Sequence, residues 1–220
     1  MDDSDAPGTS IHFPRGRLGR TAGGYVSGRA CPPLAGREAD LGPRPRVVTA
    51  GGRDLLLRAA GPGDLDAALA LHRRCSERTL DRRYRGGAEE ADGHLRNLLS
   101  PSLGRSVVAV TGGGEVVALG HLLWDEEESE VTLLVADAWQ RLGVGTAVLR
   151  SLIGLAARAR SEVVYAVTQE TNAGMIAVMR ATGLPVDHRA EDGALVIAAR
   201  LAPGGRYPRP PAALPAPAGW

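Results

Sequence analysis

One stretch constrains the fold more than any other: Val131-Thr-Leu-Leu-Val-Ala-Asp-Ala-Trp-Gln-Arg-Leu-Gly-Val-Gly-Thr146, which runs straight into an apolar segment. It reads as a buried strand, a tight turn carrying Gln140, Gly143 and Gly145, and the start of a helix. Glycine lets a backbone turn sharply and lets a ligand come close to its N–H groups. The first turn of a helix leaves those groups unpaired, at the positive end of the helix dipole, and so forms a seat for phosphate. Residues 140 to 146 are therefore predicted to cradle a pyrophosphate.

The spacing narrows what kind of cradle this is. A nucleotide P-loop ends in Gly-Lys-Ser/Thr, whereas all 26 basic residues of this chain are arginine. A dinucleotide fingerprint needs a third glycine and an acidic residue at the end of a second strand. The third glycine is missing here, and the next strand carries Gln169-Glu170.

The flanking segments alternate between strand and helix patterns. Val144, Ala147, Val148, Leu152, Leu155 and Ala156 fall on one face of a helix expected over residues 143–160. A β-branched run, Glu162 to Thr168, predicts a strand, and Asn172 to Leu184 a second helix stopped by Gly183 and Pro185. Upstream, Asp54 to Ala59 reads as a strand, and a helix from Gly63-Asp64 carries Leu65, Ala68, Leu69, Leu71, His72 and Cys75 at helical spacing. Another helix is expected over Glu89 to Leu99, and a hairpin over Ser106 to Thr111 and Glu115 to Trp124. The acidic turn Asp125 to Glu128 leads into the first-named strand, and Pro185 to Arg189 with Ala194 to Leu201 form a last strand pair.

Composition predicts one domain over residues 47–202, between an N-terminal extension (1–46) and a Pro-rich tail (203–220). The two ends hold too few apolar residues to offset the entropy of ordering and are expected to be disordered. A net charge of +1 implies no sequence-independent grip on nucleic acid. Cys31 and Cys75 stand alone, without the spacing of a disulfide framework or a metal site, which suits a reducing cytoplasm. No apolar run is long enough to span a membrane. A monomer or a homodimer is equally compatible with these features.

Gln140, Gly143 and Gly145 after a strand ending in Asp-Ala-Trp resemble the acetyl-CoA signature of the GNAT superfamily of N-acetyltransferases. Asn172, Met175 and Gly183 resemble that superfamily's second acyl-CoA motif, in the same order. Residues 72–85 are similar to the Leu-Ser-x-x-Ser-x-x-x-Arg-Phe stretch of bacterial Pat-type protein lysine acetyltransferases, in which a Glu also starts the signature strand, as Glu130 does here. The resemblance implies the GNAT fold, an α/β (α+β) arrangement with a mixed central sheet flanked by helices on both faces. It further implies an acetyl-CoA-dependent N-acetyltransferase, with direct attack by a protein lysine or a small-molecule amine in a ternary complex and no metal. The alternative is a non-catalytic acyl-CoA-binding sensor or scaffold.

On this reading the pyrophosphate would rest on Gln140, Arg141, Leu142, Gly143, Val144, Gly145 and Thr146, and the backbone of Leu134 and Val135 would pair with the pantetheine. Glu130 is the candidate base, because an alkylammonium with a pKa near 10.4 is not nucleophilic at neutral pH; otherwise it merely ends an acidic turn. Asn172 would bond the pantetheine or the central loop, or serve only as a helix cap. Many members carry a Tyr acid where this chain has Met179, which departs from the pattern. His121 is a rival base or a half-buried structural histidine, and Tyr165 a neighbouring core residue. Cys75 has no histidine at a spacing that would make it an acyl relay, and Arg82, Arg83 and Arg85 either line the acceptor cleft or form a solvated face.

Overall fold

The computed structural model describes residues 46–83, 94–102, 104–125, 128–191 and 193–202. The predicted extension 1–46 (except Arg46) and the tail 203–220 lie outside the described residues.

Eight strands form one mixed sheet in the order β1-β2-β3-β4-β5-β6-β8-β7. They are β1 (Arg46–Val48), β2 (Asp54–Ala60), β3 (Gly104–Thr111), β4 (Val116–Asp125), β5 (Glu128–Val135), β6 (Val163–Gln169), β7 (Val186–Glu191) and β8 (Ala194–Arg200). All neighbours run antiparallel except β5 and β6. The helices are α1 (Leu65–Arg73), α2 (Glu77–Arg83), α3 (94–98), α4 (Val144–Arg158) and α5 (Ala173–Arg180). Among the described residues no helix is long and apolar enough to cross a membrane.

Strand alternation divides the core between two faces. On one face Val107, Val117, Leu122 and Val131 pack against Val148, Leu152 and Ala156 of α4 and Met175 and Met179 of α5. On the other, Val108, Val110, Leu119 and Leu134 meet Ala68 and Leu71 of α1 and Leu95 and Leu99. Helices thus cover both faces, as the GNAT resemblance implied.

Most predicted elements appear within a residue or two of their expected limits. Two were not anticipated. The edge strand β1 lies at the end of a Gly/Pro-rich stretch and owes its conformation to pairing with Asp54–Leu56. Helix α2 buries only Thr79 and so shows no apolar stripe. The helix expected over 89–99 is seen at 94–98, and residues 84–93 lie outside the described residues.

Candidate functional site

Three structural features converge at one end of β5. The first is a split in the sheet. Parallel pairing of β5 with β6 is confined to Glu128–Val163, Ser129–Val164 and Glu130–Tyr165, and beyond these rungs the strands part. The Ala136 N–H bonds to Val117 C=O (3.0 Å), so even-numbered residues of β5 give their main-chain groups to β4. Leu134 is among them; Leu133 and Val135 turn theirs toward the gap. Of the two residues expected to meet the donor, Val135 faces the gap, and its carbonyl already accepts from Gln140 Nε2 (3.0 Å).

The second feature is the loop from β5 into α4. Gly143 caps the helix at φ 85°, a left-handed conformation suited to glycine, and Arg141 adopts φ 58° just before it. The first helical bond runs from the Ala147 N–H to Gly143 C=O (3.0 Å), so the N–H groups of Val144, Gly145 and Thr146 precede it, and no side chain caps them. These residues fit a pyrophosphate. A Cβ on Gly145 would stand 3.4 Å from Val178, which keeps the helix start close to α5.

Several braces hold this loop. The β1–β2 turn donates the Ala50 N–H to Leu142 C=O (3.1 Å), and Arg53 donates to Ala138 C=O (3.1 Å) while lying 3.8 Å from the Trp139 ring centroid. Asp137 accepts from the Ser76 N–H (2.6 Å), Ser76 Oγ (3.0 Å) and Thr79 Oγ1 (2.7 Å), which tethers the start of α2, where Ser76 Oγ caps the helix by accepting from the Thr79 N–H (3.3 Å). Partial burial raises the Asp137 pKa, but the Thr79 and Ser76 hydrogen bonds outweigh it and hold the carboxyl below its ordinary value. Gln140 Nε2 also reaches Thr79 Oγ1 (3.1 Å), so this side chain braces α2 against the loop. At its other end α2 accepts from Gln169 Nε2 through Asp81 C=O (2.9 Å). The helix therefore spans the opening between β5 and β6.

The third feature is the recess under α2, lined by Arg82, Arg83, Glu130, Thr132, Thr168 and Gln169, together with Val167. Glu130 occupies the last paired rung and is only 8% exposed. Burial raises its pKa to about 7, against an opposing pull from the Arg83 guanidinium. A carboxyl so poised can exchange a proton at neutral pH.

The remaining predicted residues have clear places. Asn172 caps α5, its Oδ1 accepting from the Met175 N–H (3.2 Å) and its Nδ2 donating to Thr168 Oγ1 (2.7 Å). Met179 is buried in the core, and Tyr165 is buried opposite Glu130. Burial, reinforced by Asp137, raises the Cys75 thiol pKa to about 11, which makes it a poor nucleophile. His121 is 2% exposed, and its pKa is held well below the ordinary value by burial, then by Arg83 and His72. Arg85, Glu126, Glu127 and Cys31 lie outside the described residues. The Asp137–Ser76–Thr79 brace was not anticipated, although Ser76 and Thr79 sit at the spacing of a helix cap.

Residues 67–184 match the model of the acetyltransferase (GNAT) family. The match covers more than half of the chain, and the chain belongs to this family of N-acetyltransferases. Among solved structures, the GNAT domain of S. lividans PAT is similar with a TM-score of 0.64 at 21% identity, covering 76% of this chain and 100% of that one. The ribosomal-protein-S18-alanine N-acetyltransferase from Escherichia coli has a TM-score of 0.54 at 17% identity, covering 69% and 97%. PaiA N-acetyltransferase from Thermoplasma acidophilum, solved with coenzyme A, has a TM-score of 0.53 at 12% identity, covering 67% and 99%. At these identities the likeness is one of fold. A search of curated proteins finds no match.

Proposed function

We propose that this protein transfers acetyl from acetyl-CoA to a primary amine, a protein lysine or a small molecule, by direct attack in a ternary complex within the cytoplasm. The observation that carries the reading is the position of Glu130: buried, with a pKa of about 7, and at the rung where β5 and β6 part. Acetyl-CoA supplies the activated acetyl group. The N–H groups of Val144, Gly145 and Thr146 would hold its pyrophosphate, and the outward main chain of Leu133 and Val135 its pantetheine. Glu130 takes a proton from the acceptor ammonium and frees the nitrogen lone pair. The nitrogen forms the amide bond as the thioester C–S bond breaks, and the nitrogen's second proton passes through water to the departing CoA thiolate. The lines of support are the uncapped helix start, the gap in the sheet and the family match.

Thermal unfolding with acetyl-CoA, propionyl-CoA, ATP and NAD tests the donor site. A ligand bound only by the folded state at about 100 times its Kd adds about 2.7 kcal/mol. Stabilisation by acyl-CoA alone is expected; none would overturn the reading. Glu130→Gln then separates transfer from binding: turnover should collapse while acetyl-CoA still raises the Tm. A variant that turns over normally would remove Glu130 as the base.

A further inference from the structure

The sheet face that carries Glu130 also carries two buried polar atoms with no hydrogen-bond partner among the described residues, His121 Nε2 and Thr132 Oγ1. They belong to directly opposed residues of β4 and β5, so their side chains stand next to each other on one face. Thr132 lines the recess beside Glu130, and His121 is buried next to Thr132 across the β4–β5 pair.

The hydrogen bonds around His121 can be directed from the far end. Leu98 C=O can only accept, and Ser106 Oγ donates its single proton there (3.0 Å). With that proton given to Leu98 C=O, Ser106 Oγ accepts at its 2.7 Å contact with His121 Nδ1, and the tautomer that satisfies all three groups carries the ring proton on Nδ1. In a neutral imidazole with its proton on Nδ1, Nε2 is a bare lone pair. A group that comes within hydrogen-bond reach of Nε2 must donate to it. A buried acceptor left unmatched is costly, and native interiors match such atoms with protein groups or ordered water.

Thr132 Oγ1 lies beyond direct hydrogen-bond reach of Nε2, and the adjoining recess has room for about one water molecule. We propose that His121 is a positioning residue: with Thr132 Oγ1 it holds one water against the Glu130 carboxylate. The water donates one hydrogen to Nε2 and one to Glu130, and accepts the Thr132 hydroxyl hydrogen. All three protein groups are then satisfied. The hydrogen bond to the carboxylate favours its charged, proton-accepting form and sets the pH at which the base becomes active. The other charged or titratable groups around this water are His72 from α1 and Arg82 and Arg83 from α2. The catalytic part of the proposal rests on Glu130 being the base.

The test is the pH dependence of kcat/KM for the wild type, Thr132→Val, His121→Phe and the double variant. Thr132→Val keeps the side chain's shape and so guards against misfolding of the histidine variant. Each single change is expected to move the acidic limb upward by about half a pH unit or more. The double variant should move it no further than the larger single change, because both act on one water. Acetyl-CoA should stabilise all four proteins equally against heat. A limb that stays in place in every variant would overturn the proposal. Nitrogen NMR of the histidine rings gives a readout independent of activity: a proton on Nε2 of His121 would also overturn it. If instead Glu130→Gln keeps the wild-type limb, the base assignment falls, while the ring tautomer still decides the water site.

Discussion

Glu130 and Tyr165 face each other on the last rung of the parallel ladder, and β5 and β6 part immediately beyond them. The carboxyl is therefore buried by the paired strands on one side and opens to the α2 recess on the other. Its pKa of about 7, against an ordinary value of 4.5, makes its ionisation a cost to the folded state. The unfolded chain ionises first as pH rises, so Glu130 lowers stability between about pH 4.5 and 7 and no further above that. The shift corresponds to roughly 3 kcal/mol. Glu130→Gln should match the wild type in Tm at pH 4.5 and exceed it at pH 8, by calorimetry at both values. Equal Tm at pH 8 would mean that the carboxyl ionises without cost.

The brace from Asp137 to α2 should matter to both stability and donor binding. Asp137→Ala removes the acceptor for the Ser76 N–H and Thr79 Oγ1. Loss of these hydrogen bonds costs about 1 kcal/mol, or about 2–4 °C in Tm for a chain of this size. The wild-type advantage is full above the ordinary aspartate range and disappears as pH falls through the lowered value. Because Gln140 also loses a neighbour, the Kd for acetyl-CoA should rise, which calorimetric titration would read.

Cys75 supplies a chemical check on the mechanism. With its pKa raised to about 11, native protein at pH 7.5 should react with iodoacetamide at Cys75 far more slowly than unfolded protein. Cys75→Ala should retain turnover, because direct attack needs no acyl-enzyme. Mass spectrometry resolves this site from Cys31. Acetyl trapped on Cys75 during turnover would refute direct attack.

Elements with local signatures could be read directly from the residues. The apolar face of Val144, Val148 and Leu152 located α4, and the Asn172 cap and the left-handed Gly183 bounded α5. Helix α2 lacked such a signature because one buried residue makes no stripe; it is held by Asp137, 58 positions from Thr79. For the same reason Ser106, His121 and Thr132 could not be grouped beforehand, since only the register of β3, β4 and β5 makes them neighbours. The place of Glu130 at the strand start is legible in the sequence, but its burial and its raised pKa depend on the gap and on α2. The residues alone do not show the ladder phase that turns the Leu134 main chain to β4.

Two glycines separate donor binding from packing. Gly143 at φ 85° has open space around a would-be Cβ, so Gly143→Ala suffers only from backbone conformation, about 1–2 kcal/mol. Relief of that strain would tilt the N–H groups at the helix start, and acetyl-CoA should lose much of its protective effect against unfolding. Gly120 presents the opposite case. A Cβ there would stand 2.6 Å from Val148 Cγ1 and 2.9 Å from Leu152 Cδ1, where β4 packs on α4. Gly120→Ala should cost about 1–3 kcal/mol through overpacking, yet leave the helix start in place and the gain from acetyl-CoA near the wild-type value. Paired melts with and without acetyl-CoA distinguish the two. Equal ligand gains in both variants would show that the left-handed turn at Gly143 is dispensable for holding the donor.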